Sequence, residues 1–68
     1  MENENVIKAR DFVEKCKKST YDDEAAHAYE DDAREATIRA ALANEDGWRE
    51  VAQEVLALIN LNFNRWCA

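Results

Sequence analysis

His27 is the one histidine of the chain, and it stands between Asp23, four residues before it, and Asp31, four residues after it. On a helix this spacing puts all three side chains on one face. An imidazole flanked by carboxylates has the makings of a metal ligand set or of a carboxylate-tuned base. Glu24 adds a Glu-x-x-His27 pair. Metal sites in helical bundles draw such pairs from more than one helix, and a lone histidine cannot supply the second. The expectation is therefore a surface histidine among acids, with a metal-binding module at His27 kept as the weakest of three functional readings.

The other reactive side chains point away from catalysis. The two cysteines, Cys16 and Cys67, form no Cys-x-x-Cys motif, so a zinc module is not expected. Cys16 falls on an apolar helix face and reads as a small buried hydrophobe. The spacing alone does not decide whether the two pair. No serine or cysteine sits beside a base in a known motif, and no glycine-rich loop is present to hold a phosphate. A bundle of 68 residues also has little room for a pocket. The reading is a protein that is not an enzyme and carries no cofactor.

Charge is the most informative feature. The net charge is −6, but it is not evenly spread. Residues 1–20 hold four acids and five bases, and residues 47–68 hold two of each. The stretch 21–46 holds nine acids and two bases. Six of those acids, Asp23, Glu24, Glu30, Asp31, Asp32 and Glu35, are expected to form a ridge along one helix. Such a ridge either solvates the fold or steers a basic protein partner toward it. It opposes direct binding of DNA or RNA, where neutralising phosphates dominates affinity. No apolar run reaches the ~18 residues of a membrane span, and the polar start MENENVIKAR does not resemble a signal peptide. The expected location is the cytoplasm.

The elements that position these residues are helices. There is no proline and one glycine, and the chain is rich in strong helix formers. Val6, Ala9, Val13 and Cys16 recur at steps of three, four and three, which predicts helix 1 over about 5–18, with Asn3 or Asn5 as its N-cap. Ser19 and Thr20 each precede an Asp by three residues, a capping-box pattern that predicts helix 2 over about 21–43. Its seam is Ala26, Tyr29, Ala33, Ala36, Ala40 and Ala43, narrow enough for a neighbour to approach closely. Ile38 and Leu42 lie on the opposite side. Asn44 suits a left-handed cap, and Asp46 with Gly47 suits the start of helix 3.

Helix 3, predicted over about 46–64, carries Trp48, Val51, Ala52, Val55, Leu58, Ile59 and Trp66 on a broad apolar face. That breadth predicts a central helix covered by more than one neighbour. Its tail conflicts with helix, because Ile59 to Asn64 alternates apolar and Asn residues with the period of a strand. Leu56, Leu61, Phe63 and Trp66 are the candidates for an oligomer interface, since association is a common rescue for small folds.

These observations predict a single all-α domain over 1–68, a small three-helix bundle. The role expected of it is a non-enzymatic interaction module, a small acidic inhibitor or adaptor whose ridge engages a basic protein surface. Phage-type inhibitors and nucleic-acid mimics are the analogy of size and charge. The alternative is an oligomeric structural subunit, a homodimer in its simplest form, assembled through helix 3.

Overall fold

A computed structural model describes residues 3–61 of the chain as an all-α three-helix bundle. The helices are α1, Glu4–Lys18; α2, Asp23–Leu42; and α3, Trp48–Ala57, followed by a single 3-10 turn, Leu58–Asn60. No helix among the described residues is long and apolar enough to cross a membrane.

The periodicity of α1 holds residue by residue: Val6, Ala9, Val13 and Cys16 are its buried positions. The Cys16 thiol donates to the Ala26 carbonyl at 3.3 Å, tying the end of α1 to the start of α2. Lys15, Lys17 and Lys18 close the helix, where positive charge suits its dipole. Lys15 bridges Asp11 at 3.0 Å and also lies over the Phe12 and Tyr29 rings, at 5.6 and 6.0 Å from their centroids.

The short turn returns the chain as α2. Its N-cap is Asp22, whose carboxylate accepts from the Ala25 amide at 3.2 Å, so neither Ser19 nor Thr20 opens the helix as the capping-box pattern suggested. Once Asp22 itself satisfies an orphan amide, the helix starts two residues later than expected. The alanine seam is buried at Ala26, Ala33, Ala36 and Ala40, while Ala43 is exposed past the helix end. Tyr29 is the large knob of the seam, stacked on Phe12 with ring centroids 6.4 Å apart.

The bundle is not organised around its third helix. The most extensive packing is between α1 and α2, and α3 lies across both. α1 and α2 run for 15 and 20 residues against 10 in α3, and small seam side chains let their backbones come close. From α3 and the turn after it, Val51, Val55 and Leu58 are buried. Leu56 and Ile59 are exposed, so the broad apolar face narrows to one stripe. The α-helix also ends at Ala57 rather than continuing to 64. Leu61 is extended at φ −74° and ψ 146°, which stops the helix inside the stretch whose Asn residues argued against it.

Two clusters make up the core. Val13, Cys16, Ala26, Ala33, Val55 and Leu58 form one, and Phe12, Tyr29 and Leu61 pack on it. Val6, Ala9, Ala36, Ala40 and Val51 form the other, beneath Trp48.

Candidate functional site

The nine acids of residues 21–46 separate into two populations. Asp22 is spent on the α2 cap. Glu45 is spent on α1: its Oε1 accepts from the backbone amides of Asn5 and Val6, both at 3.0 Å, and its Oε2 accepts from the Asn5 side chain at 2.8 Å. The first turn of α1 is thus capped by a carboxylate 40 residues away. Asn3 completes the clasp, its Oδ1 accepting from the Asp46 amide at 3.2 Å. Asn3 is the N-cap residue in position but makes no side-chain cap bond to its own helix. Burial pushes the Glu45 carboxyl up, but the bonds from Val6 and Asn5 outweigh it and hold the group below its ordinary value. Asp46 does not cap α3. That position belongs to Gly47, whose φ of 89° lies in the left-handed region open to glycine.

Glu30 also leaves the expected ridge. It is 1% exposed, and Arg34 Nη2 donates to its Oε2 at 3.3 Å. Ala26, Glu30, Ala33, Thr37 and Ala40 are all buried and follow steps of four, three, four and three. A helix with neighbours on two flanks needs a wider buried arc than one seam provides, and Glu30 and Thr37 lie in that extension. Thr37 meets its hydroxyl requirement by donating to the Ala33 carbonyl at 2.8 Å. The 4-3-4-3 spacing was present in the sequence; the polar side chains concealed it.

Of the other six acids, Asp23, Glu24, Asp31, Asp32 and Glu35 are exposed on α2, and Asp46 is exposed in the turn before α3. By the 100° step of a helix, Glu24, Asp31 and Glu35 point within about 40° of one another, and Asp23 and Asp32 lie on opposite flanks. Asp31 Oδ2 is 3.2 Å from His27 Nδ1. Glu35 Oε2 accepts from Arg39 at 2.7 and 3.1 Å. Both contacts are local four-residue pairs, and the Glu35–Arg39 pair is open to solvent, where such pairs are weak and readily exchanged. A groove of about 310 Å³ runs between α1 and α2 beside the ridge. Lys8 and Arg39 line it together with Asp11, Asp32 and Glu35, so both signs of charge meet in the groove.

His27 is half-buried and makes the Asp31 contact. Asp23 is exposed on the same flank. Among the described residues, no group of three His, Cys, Asp or Glu side chains is arranged to hold a metal ion.

Of the expected oligomer residues, Leu56 and Leu61 are among the described ones. Leu56 is exposed, whereas Leu61 packs on the core beside Val13 and Leu58. Phe63 and Trp66 lie outside the described residues. Cys67, the other half of a Cys16–Cys67 pair, does too. No protein-family model, curated protein or solved structure matches the chain.

Proposed function

We propose that the protein is a non-enzymatic interaction module, a small acidic inhibitor or adaptor acting in the cytoplasm, which docks on a basic protein surface through α2. The observation that supports this most is the separation of the acids. Asp22 caps α2, Glu30 is buried and Glu45 caps α1, while Asp23, Glu24, Asp31, Asp32 and Glu35 stand exposed on α2. With Glu24, Asp31 and Glu35 in line on a preformed helix and Asp23 and Asp32 on its flanks, docking needs little backbone ordering, and the clustered charge raises the rate of encounter with a basic partner. Nucleic-acid mimicry is the nearest analogy for such a row.

Affinity capture from a cell lysate, at low and high salt, tests the reading. Proteins held by the wild type at low salt are expected to be lost at high salt and lost again with the Asp31→Lys, Asp32→Lys double variant. Retention of the same proteins by that variant would refute the ridge.

The exposure of Leu56, at 74%, favours a second reading in which α3 supports self-association. Light scattering then gives a mass above 7.8 kDa, and Leu56→Glu restores the monomer. A wild-type monomer at high concentration removes that reading.

A further inference from the structure

Resting on the ridge reading, we infer that the outer face of α2 receives one amphipathic helix of the partner, basic in one half and aliphatic in the other. Glu24, Ala28, Asp31, Glu35, Ile38 and Leu42 follow one another at steps of four, three, four, three and four, and all six are exposed. This is the spacing by which a helix presents a continuous seam to another helix. It lies opposite the buried alanine seam, so α2 carries two such lines and the bundle covers only the inner one. The outer line spans about 27 Å at 1.5 Å per residue.

The outer line is divided by chemistry. Its first half is acidic, with Ala28 as the one small uncharged position. Its second half is aliphatic: Ile38 is 60% exposed and Leu42 83%. A docking surface built from charge alone gives no reason for two aliphatics on the same line. A helix laid along the line would set Lys or Arg against Glu24, Asp31 and Glu35, and would bury Ile38 and Leu42 against its own apolar residues. The charged half would set the encounter rate, and the aliphatic half would lengthen the lifetime of the complex.

The α2 line of a second copy does not fit this line. A parallel copy places the three acids against themselves. An antiparallel copy centred on the line sets Leu42 against Glu24 and Asp31 against Glu35. A copy shifted until Ile38 meets Leu42 overlaps by little more than one turn, because α2 ends at Leu42. Pairing of this line with itself is thereby disfavoured, and the occupant we assign is a bipartite helix of a different protein, whose basic half complements Glu24, Asp31 and Glu35.

Two synthetic helical peptides of about twenty residues test this. The first carries Arg and Lys on one half of its seam and Leu on the other. The second keeps the basic half and replaces each Leu by Gln. Titration into nitrogen-labelled protein is expected to shift resonances along Glu24 to Leu42, with the first peptide binding at least about tenfold more tightly. The Ile38→Ser, Leu42→Ser variant, altered only at exposed positions, should bind both peptides alike. Equal affinity for the two peptides in the wild type would overturn the bipartite helix and leave the ridge intact. Failure of both peptides to bind at low salt would overturn the ridge as well.

Discussion

Glu45 grips the backbone of Val6 at 3.0 Å, so a residue of the second turn holds the first turn of the first helix. The bond is charge-assisted and lies at the positive end of a helix dipole, where a carboxylate is most favourable. Because the folded carboxyl is held below its ordinary value of 4.5, folding is favoured while Glu45 is ionised. That contribution is present above 4.5 and is lost as pH falls through the depressed folded value. Glu45→Gln should lower the melting temperature at about pH 7 and narrow the gap to wild type at about pH 3, as read by circular dichroism. An unchanged gap between the two pH values would remove Glu45 from the acid response.

The left-handed positions make a paired prediction. Gly47 has φ 89° and Asn44 φ 53°. A Cβ on Gly47 would meet Val6 Cγ1 at 3.7 Å, an ordinary contact, so the cost of Gly47→Ala is one of backbone conformation. Chemical denaturation should show a loss of about 1–2 kcal/mol for Gly47→Ala. Asn44→Gly should be neutral or slightly stabilising, since glycine takes the same region without strain.

Close approach at the alanine seam is tested by enlarging it. Ala33 is fully buried, and Leu in its place should cost about 1–3 kcal/mol through overpacking. Ala43 shares the sequence spacing but is exposed, and Ala43→Leu should stay within about 0.5 kcal/mol of wild type. Equal effects at both sites would mean that the seam is not closely packed.

Glu30 and Asp31 are neighbours with opposite duties. Glu30→Ala removes a buried partner of Arg34 and should cost about 1–3 kcal/mol of stability. Asp31→Asn should leave the melting temperature nearly unchanged while weakening capture of basic partners. A swap of these two phenotypes would place Glu30, not Asp31, at the docking surface.

The sequence made α1 legible because its buried positions are apolar and strictly periodic. The same reasoning found the seam from Ala26 to Ala40 and the left-handed turn of Asn44. It misjudged Glu30 because burial of a carboxylate depends on a second neighbour that local spacing does not announce. It missed Glu45 for a related reason: a cap 40 residues distant leaves no pattern near the helix it serves. Large aromatics drew attention to α3, but the weight of the fold rests where side chains are smallest.

The alanine-rich interior has a thermodynamic consequence. Five of the eleven buried hydrophobic residues described are alanines, and no aromatic ring is among them. If the described interior is representative, its small side chains bury little apolar surface, and calorimetry should find a modest heat-capacity change on unfolding and hence a gently curved stability profile. A partner that binds only the folded bundle would then raise the melting temperature in proportion to its concentration and affinity.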